Sequence, residues 1–94
     1  MNPGLETLAH KDNIVKKIIY DLNGEKNFTV SYINLPGWDF GFDYLFKNYD
    51  YTPKDRIRDK DKVKYNYTIV VPKELSLDSL NYYSGNIGLI FPER

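Results

Sequence analysis

Ile14, Val15, Ile18, Ile19 and Leu22 recur at i, i+1, i+4, i+5 and i+8, one apolar stripe at helical period. The spacing predicts a helix over residues 12–22. Asp12 or Asn13 can accept a bond from a free first-turn N–H, Lys16, Lys17 and Asp21 take the wet side, and Asn23-Gly24 ends the helix. Before it, residues 1–11 contain Pro3 and Gly4 with little periodicity and read as a flexible lead-in or linker to a single domain over residues 12–94. After it the period changes to two. Phe28, Val30 and Tyr32 alternate with Thr29 and Ser31, which predicts a strand with one buried face, broken at Leu35-Pro36-Gly37. In the dense stretch WDFGFDYLFKNYDY, residues 38–51, Phe42, Leu45, Phe46 and Tyr49 lie at i, i+3, i+4 and i+7. They predict a second helix capped by Asp39, weakened by about 1 kcal/mol at Gly41 relative to Ala. Residues 52–62 read as a solvated charged loop. Val63, Tyr65, Tyr67, Ile69 and Val71 then share one face of a long strand, with Lys64, Asn66 and Thr68 on the other and Pro72 as the stop. Residues 73–86 read as a loop with one helical turn, and Ile87–Phe91 as a last short strand.

This order predicts an α+β domain: an α/β two-layer sandwich, α-β-α-β-β, whose small three-stranded mixed sheet carries two helices on one face. A strand–helix–strand run needs a crossover, so the first two strands are expected to be parallel, while the third can pair at either edge. The other sheet face is expected to be polar.

Composition narrows the picture further. A chain of 94 residues fits one domain and buries about 60–65 % of its unfolded surface, so its core has to be dense in large side chains. Nine Tyr, five Phe and one Trp meet that need. With no cysteine, disulfides and thiolate metal sites are excluded. Thirteen basic residues balance thirteen acidic ones, so no global field attracts nucleic acid or an anionic membrane. No apolar run is long enough to cross a bilayer, and the first residues lack the charged and apolar regions of a signal peptide.

Candidate chemistry is sparse. His10 is the sole histidine, has no visible metal or nucleophile partner at a fixed spacing, and reads as an ordinary surface residue. Asp39, Asp43 and Asp50 sit among Trp38, Phe40, Tyr44 and Tyr49, residue types that can stack on sugar faces and grip sugar hydroxyls. The competing reading is that the rings fill the core while the carboxylates cap and solvate the helix. Of this segment, Trp38, Asp39, Asp43 and Tyr44 are the candidate binding surface. Lys54, Arg56, Arg58, Lys60, Lys62 and Lys64 interleave with Asp55, Asp59 and Asp61, which favours a solvated loop over nucleic-acid binding. No glycine-rich phosphate cradle is present, and no cofactor or metal is implied. The sequons Asn27-Phe28-Thr29 and Asn66-Tyr67-Thr68 fall inside predicted strands and read as chance matches.

One series of positions carries a family resemblance: Ile14-Val15-x-x-Ile18-Ile19-Tyr20-Asp21, Gly24-x-x-Asn27-Phe28-x-Val30, Asp43-Tyr44-Leu45-Phe46, Tyr67-Thr68-Ile69-Val70-Val71-Pro72 and Gly85-x-Ile87-Gly88-Leu89-Ile90. It resembles the C-terminal extracytoplasmic soluble domain of bacterial membrane glycosyltransferases of the protein O-mannosyltransferase/aminoarabinose-transferase-like superfamily, over about residues 12–91. The resemblance implies a parent enzyme that uses a polyprenyl-phosphate-linked sugar. Its catalytic acid stands in a loop between membrane spans, outside this chain, so no catalytic residue carries over. The expected role is then a non-catalytic accessory domain, outside the cytoplasm and membrane-associated through the parent. Its partner is the membrane portion of the same polypeptide or another protein, with a glycan or lipid-linked sugar as further candidates. The alternatives are a free-standing cytoplasmic interaction protein, of the phage-inhibitor or immunity type, and a carbohydrate-binding module.

Overall fold

A computed structural model describes residues 3–35, 41–54, 63 and 65–92, with side chains from residue 8 onward in the first stretch. The chain runs through helix α1 (Pro3–Leu22), strand β1 (Phe28–Asn34), helix α2 (Phe42–Asn48), strand β2 (Tyr65–Val71), a 3-10 helix (Lys73–Ser79), strand β3 (Tyr82–Ser84) and strand β4 (Ile87–Ile90). The strands form one mixed sheet in the order β1-β2-β4-β3. β1 and β2 are parallel, as the crossover demands, and β4 is antiparallel to both β2 and β3. The class is α+β, as the residue pattern indicates.

Register explains where the core lies. Phe28, Val30 and Tyr32 stand opposite Tyr65, Tyr67 and Ile69, and Leu89 stands opposite Ile69 from the other side. Period two therefore puts all of them on one face. Ile14, Val15, Ile18 and Leu22 of α1 and Phe42, Leu45 and Phe46 of α2 close over that face. Rings interlock edge to face or tilted: Phe28 lies 5.6 Å from Phe46 and 6.4 Å from Tyr67, and Tyr32 lies 5.7 Å from Phe42. Each fully buried side chain of this size contributes about 1.5–3 kcal/mol relative to leaving it in water.

Several expectations need correction. α1 starts at Pro3, inside the segment expected to be a lead-in, and runs for 20 residues. Proline suits a first helical position, where its fixed φ matches and its missing N–H has no partner to lose. Asp12 and Asn13 are thus interior residues of the helix, not caps. At α2, Gly41 is the N-cap, at φ 94°, instead of an interior weak point. Asp39, the expected cap, lies outside the described residues, as do residues 55–62 of the expected charged loop.

The sheet has four strands, not three. Tyr82–Ser84 and Ile87–Ile90 form a hairpin around Gly85-Asn86, a two-residue turn that three strand residues with no polar alternation conceal.

The second face is not uniformly polar. Ile33, Val70, Gly88 and Tyr83 form one row across all four strands. The 3-10 helix packs against β1, β2 and β4 and covers this end, leaving Val70 fully buried. Leu80 packs over Gly88, where a Cβ would come within 2.4 Å of its Cδ2, so a larger residue there would have to move the Leu80 side chain. At the other end the face is polar: Thr29 Oγ1 donates to Asn66 Oδ1, and Asn66 Nδ2 donates to the Val63 carbonyl at 3.0 Å.

Candidate functional site

Of the four residues singled out from the sequence, Asp43 and Tyr44 are consecutive in the first turn of α2 and both face solvent. Trp38 and Asp39 lie outside the described residues. Among the described residues, no side-chain hydrogen bond or ion pair brings another group to Asp43 or Tyr44. Asp50 is placed elsewhere: its carbonyl accepts from Lys26 Nζ at 2.6 Å.

The polar groups that do converge join separate elements. His10 Nδ1 lies 2.9 Å from Ser84 Oγ, and Asn13 Nδ2 donates to the same oxygen at 3.1 Å. This trio fastens the β3–β4 turn to the first half of α1, which places His10 in a tertiary contact instead of a mobile lead-in. Tyr49 Oη donates to Asp12 Oδ1 at 2.7 Å, and Lys16 Nζ lies 3.0 Å from Asp12 Oδ2, linking the end of α2 to α1. Burial pushes the Asp12 carboxyl up, but the hydrogen bonds from Tyr49 and Lys16 and the Lys16 charge outweigh it and hold it below its ordinary value. The same hydrogen bond from the other side raises Tyr49, and the Asp12 carboxylate raises Lys16. Tyr67, fully buried at the centre of the sheet, donates its hydroxyl to Asp21 Oδ2 at 2.5 Å, so Asp21 serves the core edge as well as the wet side of α1.

Around the last turn of α1 the surface opens into a groove of about 590 Å³, lined by Lys17, Ile19, Tyr20, Asp21, Asn23 and Gly24. Lys17 Nζ lies 5.9 Å from the Tyr20 ring and 5.3 Å from the Tyr82 ring of β3. Sequence reasoning passed over this groove, yet one signal was present. Tyr20 stands off the apolar stripe, between Ile19 and Asp21, and an aromatic ring there has no core to enter.

Among the described residues, no three His, Asp or Glu side chains gather as a metal site, and no helix is long and apolar enough to cross a membrane. No family model, curated protein or solved structure matches this chain.

Proposed function

We propose that this chain is a non-catalytic accessory domain that acts by contact, the extracytoplasmic domain of a polyprenyl-phosphate-sugar-dependent membrane glycosyltransferase. It docks on the membrane portion of the same polypeptide and helps to position substrate there. The observation that carries the reading is the distribution of exposed apolar side chains. Of the eight exposed large hydrophobic side chains among the described residues, Leu8, Tyr20 and Tyr44 stand on α1 and α2, whereas Leu75 and Leu77 belong to the 3-10 helix, Ile33 and Tyr83 to the sheet row it packs against, and Leu35 follows β1. Leu77 and Tyr83 keep 56 % and 59 % of their surface in water. Apolar side chains gathered on one side mark a contact surface, whereas single ones scattered over a monomer need no explanation.

The polar interior supports the same reading. The hydrogen-bonded groups at His10, Asp12, Asp21 and Thr29 each join two elements of the fold. Many of the positions quoted for the resemblance are scaffold: Phe28, Val30, Tyr67, Ile69, Ile87 and Leu89 are core, and Gly85 and Gly88 permit close approach, while Asn27, Tyr20, Asp43 and Tyr44 are exposed. A resemblance carried mostly by scaffold positions suits a domain whose chemistry is done elsewhere.

The coding sequence upstream of residue 1 tests the proposal. A reading frame continuous with Met1 that encodes several apolar segments of about 20 residues is the expected result. A stop codon and ribosome-binding site immediately before Met1 would overturn it in favour of a free-standing interaction protein, which the same exposed face would serve. In cells making the continuous polypeptide, a photoreactive residue in place of Leu77 should crosslink to membrane-embedded chain. One in place of Lys16, on the helical side, should not.

A further inference from the structure

We propose that the groove at the end of α1 is a weak binding site for a neutral pyranose sugar unit. Its volume of about 590 Å³ falls within the roughly 300–1,000 Å³ range of small-ligand sites. Tyr20 leaves 81 % of its surface in water, an open flat ring beside the groove that the core does not use. A ring in that position can stack on the C–H face of a sugar, with polar groups reaching the hydroxyls from the side. Two such groups line it: the Lys17 ammonium is a donor, and the Asn23 amide is both donor and acceptor. Sugar hydroxyls need this mixture, since each is both donor and acceptor.

Electrostatics select against other ligands. A helix C-terminus carries about half a negative charge, and Asp21 adds a full one, while Lys17 supplies the single positive charge in the lining. That balance repels a phosphate or carboxylate. A cationic ligand would meet Lys17 itself. A neutral polyol fits what remains. One wall of the site is anchored, since Asp21 accepts from the hydroxyl of the buried Tyr67.

This inference stands apart from the proposed parent enzyme and holds whichever reading frame precedes Met1. The test is an amide chemical-shift titration of the isotope-labelled full chain. The probes are methyl α-D-mannopyranoside, methyl β-D-galactopyranoside and N-acetylglucosamine, each to about 50 mM, with inorganic phosphate as the comparator. Saturable shifts confined to Lys17 and residues 20–24 with at least one sugar, and none with phosphate, are expected. Tyr20→Ala should weaken binding about tenfold or more while keeping the dispersed spectrum of the folded chain, because the ring is exposed. Tyr44→Ala should leave binding unchanged, which separates the groove from the surface of α2. Absence of saturable shifts with all three sugars, equal shifts with phosphate, or undiminished binding by Tyr20→Ala would each overturn the assignment.

Discussion

Single residues decide whether the hairpin can meet the helix. Gly85 occupies φ +57°, and a Cβ there would lie 2.4 Å from the His10 ring. Gly24 has a positive φ too, but nothing stands within 4 Å of its Cβ position. Gly85→Ala therefore combines left-handed strain of about 1–2 kcal/mol with a collision, whereas Gly24→Ala suffers strain alone. Denaturant melts should show the Gly85 variant clearly less stable than the Gly24 one. Adding His10→Ala to Gly85→Ala should recover part of the difference, because the clash goes and the strain stays. Equal costs for both glycines, or no recovery in the double variant, would mean that the His10 ring does not sit where it is described. Sequence could not have announced this contact. His10 and Ser84 are 74 positions apart, and no spacing rule joins a helix residue to the end of a three-residue strand.

At the scale of elements, β2 is central and β1 is at the edge, and the same residue type tests the difference. Ile69 lies on β2, fully buried between strands on both sides, whereas Ile33 lies on β1 and is exposed. Ile69→Ala should destabilise by about 2–5 kcal/mol through lost burial and a residual cavity. Ile33→Ala should stay below about 1 kcal/mol, and similar midpoints for the two in a urea series would contradict the sheet order. Elements of this kind were legible because periodicity reports burial directly: Phe28 and Val30 on β1, Tyr67, Ile69 and Val71 on β2, and Ile14, Val15, Ile18 and Leu22 on α1 enter the core, and Tyr32 packs against it. Less legible were elements whose existence depends on tertiary partners. The first turns of α1 lack an apolar stripe of their own, and β3 is three residues long and forms only because β4 is beside it. Val70 is buried where the 3-10 helix packs on the sheet and Leu80 meets Gly88, a meeting that local pattern cannot encode. The candidate site was least legible. Trp38, Asp39, Asp43 and Tyr44 were chosen by residue type in an aromatic run, while the groove at Tyr20 arises from the shape of a helix end, where Lys17 also meets Tyr82, far along the chain.

For the molecule as a whole, the join between α1 and α2 rests on few residues. α2 has seven residues, too few to be stable alone, so it depends on burying Phe42, Leu45 and Phe46 and on the Tyr49–Asp12–Lys16 link to α1. That link makes stability depend on pH with a definite sign. The folded state holds Asp12 below its ordinary value of 3.8, so its contribution is present above that pH. It is lost as pH falls through the lower, folded value. Tyr49 behaves oppositely: its folded value is raised above 10.0, so its contribution is present below that pH and disappears as the hydroxyl ionises. Lys16, raised above 10.5 by the Asp12 carboxylate, likewise loses its contribution on the alkaline side. Asp12→Asn removes the charge without removing the helix position. The difference in stability between the wild-type chain and this variant should therefore be largest between the acid and alkaline limbs. It should shrink as pH drops below 3.8, where the wild-type carboxyl takes up its proton. Urea melts at stepped pH measure this gap. Constancy from neutral pH down through the acid limb would show that the Asp12 charge does not hold α1 and α2 together, leaving α2 fixed by its three buried side chains alone.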